Sequence, residues 1–140
     1  MDKKRFSGVL VKYNDKVLLC KRNTDNTFPG MWSIPCGGIK KGENTREAAK
    51  REFFEETNLN INNFNLNFIG ILPRLSRDGK KTKGLMYVYM IEVDNILEPN
   101  FELALDGDEH SEWGYFDKKE INNIDMGKHL HHLLKLFLNN

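Results

Sequence analysis

Three glutamates of this chain, Glu52, Glu55 and Glu56, stand within five consecutive positions. If the segment is helical, with about 100° of rotation per residue, their side chains share an arc of roughly 100°. Carboxylates this close repel one another and raise one another's pKa values unless a cation lies among them. Hard oxygen ligands of this kind suit Mg²⁺, with Mn²⁺ as a substitute. The spacing therefore favours a divalent-metal face on one side of a helix.

A solvated acidic stripe is the competing interpretation, and for an average helix it would be the better one. Two features of the sequence weigh against it. The basic residues of the segment interleave elsewhere on the helix and are not expected to neutralise the cluster. Arg51 should point about 100° away from the metal arc, where it can pair with Glu47 or Glu55. In addition, a glycine-rich loop that carries Glu43 leads directly into the helix.

The helix that must position these glutamates is predicted over residues 44–58. Asn44 is a good N-cap, and Glu47 three residues later completes a capping-box pattern. Asn58 is one of the few non-glycine residues that tolerate the left-handed turn at the end of a helix. The sequence therefore predicts both ends of this helix as well as its acidic face.

Around this helix the sequence predicts a mixed sheet and a closing helix. Two β-rich runs, residues 7–13 and 16–22, flank Asn14-Asp15, which is a two-residue hairpin signal. Further strands are predicted at 31–35, 64–74, 84–93 and 111–116, a glycine-rich loop at 37–42, a charged turn containing Asp78-Gly79, and a helix at 126–138. Mixed strands with one central and one terminal helix predict an α/β (α+β) sandwich.

Length and composition place the chain among ordinary globular proteins. Its 140 residues fit one domain, predicted to cover residues 1–140, and a content of 39% hydrophobic and 29% charged residues argues against disorder. With Lys+Arg 21 against Asp+Glu 20, the net charge of +1 gives no general attraction to nucleic acid or anionic lipid. Two cysteines without a CxxC pair suggest a reducing compartment. Without a signal peptide or a run of ~20 apolar residues, a cytoplasmic protein with no membrane contact is predicted.

The segment from Gly37 to Leu59 resembles the Nudix box. The pattern of that family is a glycine, five residues, a glutamate, seven residues, and then Arg-Glu-hydrophobic-any-Glu-Glu-any-Gly-hydrophobic. The positions that match it in register are Gly37, Glu43, Arg51, Glu52, Phe53, Glu55, Glu56 and Leu59. Position 58 alone departs, with asparagine where the pattern has the glycine that ends the helix, and metal binding should not depend on it. The resemblance implies a sandwich of Nudix type, with a mixed β-sheet flanked by the box helix and a C-terminal helix.

The same resemblance implies a Mg²⁺-dependent pyrophosphohydrolase. Its substrate would be a nucleoside triphosphate or another nucleotide derivative, whose diphosphate linkage is cleaved by water attack on phosphorus. Metal ions stabilise the charge that develops on phosphoryl oxygens and acidify the attacking water. The metal ligands that the resemblance implies are Glu52, Glu55, Glu56 and the backbone carbonyl of Cys36. It also implies that Arg51 orients a catalytic glutamate and that Glu43 fixes the loop against the helix.

The general base and the substrate contacts are less defined by the pattern. The family uses either a glutamate of the box or one from a later loop, and segment 106–112 could equally be a solvated acidic loop. The candidates for the base are Glu55, Glu109 and Glu112, with Asp106 and Asp108 behind them. Gly37 and Gly38 would let the loop backbone approach the ligand. The side chains expected to contact the substrate are Arg22, Trp32 and Arg74.

Two other functions are open at this point. The string at positions 35–43, Pro-x-Gly-Gly-Ile-x-x-Gly-Glu, also looks like the subgroup of RNA 5′-pyrophosphohydrolases, and the basic residues of 74–83 could hold a 5′-triphosphate RNA. A catalytically silent Nudix-fold regulator would bind a nucleotide or sugar without cleaving it, but such a protein has no need of Glu52, Glu55 and Glu56. Family members are often dimers, so the resemblance also allows a homodimer.

Overall fold

The computed structural model describes residues 4–23, 30–75 and 80–138. The strands are β1 (Lys4–Tyr13), β2 (Lys16–Arg22), β3 (Trp32–Ser33), β4 (Cys36–Gly38), β5 (Asn67–Leu75), β6 (Thr82–Val93) and β7 (His110–Phe116). The helices are α1 (Thr45–Thr57) and α2 (Lys128–Phe137), and short 3-10 turns lie at Gly107–Glu109 and Glu120–Asn123. The predicted strands and both predicted helices are present, whereas the predicted Asp78-Gly79 turn lies outside the described residues.

β1 is the central strand of the sheet. It pairs antiparallel with β2 through the turn at Asn14, whose φ of 52° is the left-handed conformation that such a turn needs. On its other side it pairs in parallel with β6, from Lys4 opposite Gly84 to Tyr13 opposite Val93. The strand order is β3-β2-β1-β6-β5, with β7 paired to β2 and β4 paired to β1. The sheet is therefore mixed, as predicted.

The first residues of the predicted 37–42 loop are part of a strand instead. The three residues of β4 pair antiparallel with Phe6, Ser7 and Gly8 of β1. The two backbones approach closely, because a Cβ added to Gly8 would lie 2.9 Å from the Cβ of Cys36. Glycine in a strand often marks such an approach, which a reading of glycine runs as loops does not anticipate. The start of the box is thereby anchored on the central strand.

One helix covers each face of the sheet. Successive residues of β1 point to opposite faces, so Val9 and Val11 pack under α1 with Phe53, whereas Leu10 packs on the α2 side. The buried side chains of α2 are Leu130, Leu133 and Leu134. The helix-sheet-helix order is that of the predicted sandwich. In the described part of the chain, no helix has both the length and the apolar character needed to cross a membrane.

α1 begins and ends where its capping residues predict. The side chain of Asn44 accepts a hydrogen bond of 2.8 Å from the backbone N–H of Glu47. At the other end, Asn58 adopts the left-handed conformation, with φ 63° and ψ 20°, and its N–H donates to the carbonyl of Phe54. The asparagine at position 58 thus makes the turn for which the family pattern uses glycine.

Substitutions at Asn58 should separate backbone conformation from side-chain chemistry. Alanine disfavours the left-handed region, so Asn58→Ala is expected to lower the free energy of unfolding by about 1 kcal/mol. Glycine adopts this region freely, so Asn58→Gly should stay within about 0.5 kcal/mol of the unsubstituted chain. Urea unfolding followed by circular dichroism measures both values. Equal losses in the two variants would contradict the capping role of the backbone conformation.

Candidate active site

Arg51 connects α1 to the loop of residues 39–44, which lies between β4 and α1 and is called the box loop below. Its Nε and Nη2 donate to the two carboxylate oxygens of Glu43 at 2.7 and 2.9 Å, and Nη2 also donates to the Gly38 carbonyl at 2.9 Å. Its Nη1 donates to Glu52 at 2.8 Å and to Glu55 at 3.1 Å. The hydrogen bond from Arg51 lowers the pKa of Glu43 to about 2. One guanidinium therefore orients three carboxylates, since its donors are fixed in one plane.

The expected direction of the Arg51 side chain and the expected absence of a neutralising charge among the glutamates are both wrong. The sequence predicts that it points away from the acidic arc and leaves the cluster without a neutralising charge, yet it contacts two of the three glutamates of the arc. Glu47, one of its two expected partners, instead accepts a hydrogen bond from the side chain of Asn44. The expected pairing with Glu55 is confirmed. The reason is the length of the side chain, which reaches back to Glu43 and carries the charge away from the direction of the Cβ.

Gly37 leaves the space that the Glu52 side chain occupies. A Cβ added at Gly37 would fall well inside van der Waals contact with the Glu52 carboxyl group, whereas one added at Gly38 would meet no heavy atom within 4 Å. The Glu52 carboxylate thus rests directly against the backbone of β4. Burial raises the pKa of the neighbouring Cys36 thiol to about 11, so this side chain stays neutral. Because Mg²⁺ prefers oxygen ligands, the backbone carbonyl of Cys36 is the candidate ligand at this position.

Glu56 is the buried carboxylate of α1. It is 1% exposed, and neither of its carboxylate oxygens has a hydrogen-bond partner among the described residues. Burial raises its pKa well above the usual value, and the negative charges of Glu109 and Glu52 raise it further, against the opposing effect of Arg22. A buried carboxylate without a partner is costly. A divalent cation would supply the missing partner, so Glu56 fits a metal ligand.

Arg51 and burial set the positions of the three box glutamates, and the charge of Glu52 reaches the buried Glu56, whose pKa it raises. Within residues 4–23, 30–75 and 80–138, no three aspartate, glutamate, histidine or cysteine side chains are grouped as ligands of one ion. Arg51 holds Glu52 and Glu55 near the loop, and Glu56 turns into the interior. All three nevertheless offer only oxygen donors, which suit a hard cation such as Mg²⁺.

A later segment, residues 100–110, forms a wall against the C-terminal half of α1. The backbone N–H of Asn100 donates to the carbonyl of Thr57 at 2.9 Å. The backbone N–H of Asp106 donates to the carbonyl of Glu55 at 2.7 Å. These bonds satisfy carbonyl groups at the end of the helix, which have no partner within it. The side chains at the end of the wall are thereby fixed relative to the box glutamates.

Two candidates for the general base occupy different surroundings. Glu109 lies at the end of the wall, where its charge raises the pKa of Glu56, and burial raises the pKa of Glu109 itself. Glu112 lies on β7 with its carboxylate 3.4 Å from the Nζ of Lys21, and its side chain is 59% exposed. The structure therefore brings Glu109 to the buried glutamate and directs Glu112 to the surface.

His110 is a residue of this site that the sequence interpretation overlooks. It begins β7, its side chain is 1% exposed, and its Nε2 lies 3.6 Å from Oε1 of Glu56. Burial, and then the positive charge of Arg22, lower its pKa to about 4, so the ring is neutral at ordinary pH. Its one signal in the sequence is its position directly after Glu109. That position does not distinguish it from a surface histidine in an acidic loop.

Arg22 and Trp32, two of the side chains expected to contact the substrate, lie on neighbouring strands. Arg22 ends β2, and its positive charge acts to lower the pKa of Glu56. Trp32 begins β3 and packs edge-to-face against Phe116, with ring centroids 4.8 Å apart. The arginine thus borders the carboxylate site, whereas one side of the indole serves in packing.

Arg74, the third of these side chains, lies on β5 beside the box loop. Its guanidinium carbon is 4.2 Å from the centroid of the Phe6 ring, and its Nη1 donates to the Sγ of Cys36 at 3.7 Å. Because Cys36 directly precedes Gly37, the positive charge of Arg74 lies beside β4, the strand against which the Glu52 carboxylate rests.

Comparison with known proteins identifies the family of the chain. A family model described as the NUDIX domain matches residues 3–137. The chain belongs to the Nudix family. Among its Nudix relatives, the nucleoside triphosphatase NudI of Enterobacter sp. (strain 638) is 26% identical over 126 residues, which cover 85% of this chain and 85% of that protein.

Solved Nudix structures share the fold. The MutT NUDIX hydrolase from Burkholderia pseudomallei matches with a TM-score of 0.78 at 18% identity, over 96% of this chain and 98% of that chain. A C. elegans Ap4A hydrolase in a binary complex matches with a TM-score of 0.75 at 19% identity, over 96% and 94% of the two chains. The predicted Nudix resemblance, sandwich fold and hydrolase class are therefore confirmed.

Proposed function

We propose that this Nudix hydrolase cleaves the diphosphate linkage of a nucleoside triphosphate or a related nucleotide derivative, with Mg²⁺ as its metal ion. The observation that carries the proposal is Glu56, a buried carboxylate without a hydrogen-bond partner on the box helix. The alignment with NudI, a protein named as a nucleoside triphosphatase, over 85% of both chains supports the choice of a triphosphate. Residues 1–140 act as a single catalytic domain in this proposal.

Glu52 and Glu56 are the principal metal ligands in this proposal, with Glu55 and the backbone carbonyl of Cys36 beside them. When bound, the divalent ion would neutralise charge on the phosphoryl oxygens and lower the pKa of the attacking water. The residues of the chain keep the ligands in place. Arg51 holds Glu52 and Glu55 by hydrogen bonds of 2.8 and 3.1 Å.

Glu109 is the general base that we favour. In this role it accepts a proton from the water whose oxygen forms the new bond to phosphorus. The bond from phosphorus to the bridging oxygen breaks, and the leaving phosphate group takes its electron pair. Burial raises the pKa of Glu109, which makes it a stronger base than an exposed carboxylate.

Arg22 and Arg74 are the proposed contacts of the phosphate chain. Guanidinium groups bind phosphate oxygens through paired donors. The charge of Arg22 acts on Glu56, and Arg74 contacts Cys36 at the start of β4. The backbone of Gly37 and Gly38 lets the phosphates approach the box loop. Trp32 is the proposed contact for the nucleobase of the substrate, through the part of its ring that does not pack on neighbouring side chains.

A panel of substrates tests the proposal. The full chain is incubated with nucleoside triphosphates, nucleotide sugars, dinucleoside polyphosphates and 5′-triphosphate RNA, with Mg²⁺ and with EDTA. Released phosphate, pyrophosphate and nucleoside monophosphate are then measured. Mg²⁺-dependent cleavage of a nucleoside triphosphate supports the proposal. Faster cleavage of 5′-triphosphate RNA would instead indicate an RNA 5′-pyrophosphohydrolase. Thermal stabilisation by a nucleotide without cleavage of any compound would indicate a non-catalytic regulator instead.

Substitution of the two late glutamates should identify the base. Glu109→Gln is expected to lower kcat about 100-fold or more, because the proton acceptor is lost, while KM changes much less. Glu112→Gln is the matched control, and it should retain activity within about 2-fold because its exposed pair with Lys21 contributes little. Steady-state kinetics with the best substrate of the panel measures both. A loss of kcat confined to Glu112→Gln would identify Glu112 on β7 as the general base instead.

A further inference from the structure

His110 and Glu56 form a buried polar pair. Each side chain is 1% exposed, and Nε2 of His110 lies 3.6 Å from Oε1 of Glu56. The carboxylate oxygens and the Nδ1 of His110 have no hydrogen-bond partner among the described residues. Buried polar atoms are nearly always paired in folded proteins. Two such groups in contact with each other therefore point to a function that needs them.

Several contacts hold the histidine ring at a set place beside α1. The backbone N–H of His110 donates to the carbonyl of Gly107, and Gly107 packs so tightly on Phe101 that an added Cβ would collide with the Phe101 carbonyl. The ring of Phe101 lies against the imidazole, with centroids 5.5 Å apart. The N–H of Asp106 donates to the carbonyl of Glu55 and joins this turn to the helix. Residues 100–110 together thus hold the His110 ring beside the Glu56 carboxylate.

We infer that His110 is a positioning residue for Glu56, whose Nε2–H donates to one carboxylate oxygen and leaves the other for the divalent cation. The inference rests on the proposed function. Closing the separation from 3.6 Å to the ordinary ~2.9 Å needs only a small rotation of either side chain. Hydrogen bonds from neighbouring groups orient the ligands of a metal site, and a ring N–H of histidine is a suitable donor to a carboxylate oxygen.

A role in packing alone makes a different prediction. If His110 only fills space beside Phe101, a substitution acts through the stability of the fold, and the folded molecules keep their metal affinity. If His110 positions Glu56, the metal affinity of the folded chain depends on where the replacement carries its N–H donor. Glutamine places its side-chain nitrogen near the position of Nε2, whereas asparagine places it near the position of Nδ1.

Binding of Mn²⁺ to the full chain, measured by electron paramagnetic resonance of the free ion, tests the inference without any substrate. His110→Asn and His110→Leu are expected to weaken Mn²⁺ binding about 10- to 100-fold, and His110→Gln to restore it to within about 3-fold. His132→Gln, exposed on α2, is the control and should bind like the unsubstituted chain. Circular dichroism restricts the comparison to folded variants. If the leucine variant does not fold, the glutamine and asparagine variants carry the test, because both bury the same amide group.

Kinetics of the same variants gives a second measurement. The Mg²⁺ concentration for half-maximal activity should rise in His110→Asn, while kcat at saturating Mg²⁺ changes by less than about 3-fold. Unchanged Mn²⁺ affinity in folded His110→Asn, or equal losses in the asparagine and glutamine variants, would overturn the inference. Absence of Mn²⁺ binding by the unsubstituted chain is a separate result, because it would remove the proposed metal site itself and the inference with it.

Discussion

Replacing Glu56 with glutamine is expected to lower kcat/KM about 1,000-fold or more while the chain stays folded. Glutamine has nearly the same shape, but it lacks the charge that a divalent cation would bind. In the metal-free chain the buried carboxylate has no hydrogen-bond partner among the described residues, so a neutral amide should not reduce stability. Hydrolysis of the best substrate at saturating Mg²⁺, together with circular dichroism, measures both effects. Near-normal turnover would remove Glu56 from the metal site.

The same variant should change how stability depends on pH in the metal-free chain. Burial raises the pKa of Glu56 in the folded state, so above the ordinary value of 4.5 the folded chain keeps a proton that the unfolded chain releases. The free energy of unfolding should therefore fall as the pH rises from that value towards the folded-state pKa. Glu56→Gln should lack this part of the fall, whereas Glu92→Gln, exposed on β6, should keep it. Urea unfolding in EDTA between about pH 4 and pH 8 makes the comparison.

A single methyl group at Gly37 is expected to reduce activity about 100-fold, which is the effect of misplacing a catalytic group by about 1 Å. The added Cβ of Gly37→Ala would collide with the carboxyl group of Glu52. That carboxyl group must then move, together with its hydrogen bond to Arg51. Initial rates and the Mg²⁺ concentration for half-maximal activity measure the loss.

Gly38→Ala is the matched control for this substitution. It lies one residue further along the same strand, and its added Cβ would meet no heavy atom within 4 Å. The Mg²⁺ concentration for half-maximal activity should stay within about 3-fold of that of the unsubstituted chain, because the added methyl group does not displace the Glu52 carboxyl group. If both substitutions raised this Mg²⁺ concentration equally, the cause would be reduced backbone flexibility and not the space that Gly37 leaves for Glu52.

The box helix could be predicted from the sequence because the rules that fix it are local. Asn44 and Asn58 act on backbone groups within one turn of the helix, and both caps are present as predicted. The spacing of Glu52, Glu55 and Glu56 likewise depends only on the helical repeat.

Arg51 and His110 show where such local rules stop. The charged end of Arg51 is placed by Glu43, on a loop whose path follows the pairing of β4 with β1. His110 meets Glu56 only because residues 100–110 fold back on α1. Both positions depend on contacts between separate parts of the chain, which helical angles and residue types do not encode.

The wall of residues 100–110 also limits how the Nudix box can be moved between proteins. The box is contiguous, but the charge and the imidazole beside Glu56 come from Glu109 and His110, far later in the chain. A box transplanted alone onto another scaffold would carry its ligands into an environment that neither buries nor orients them in the same way. Chimeras between relatives should therefore keep most activity when the box and residues 100–110 are exchanged together, because the two segments form one site.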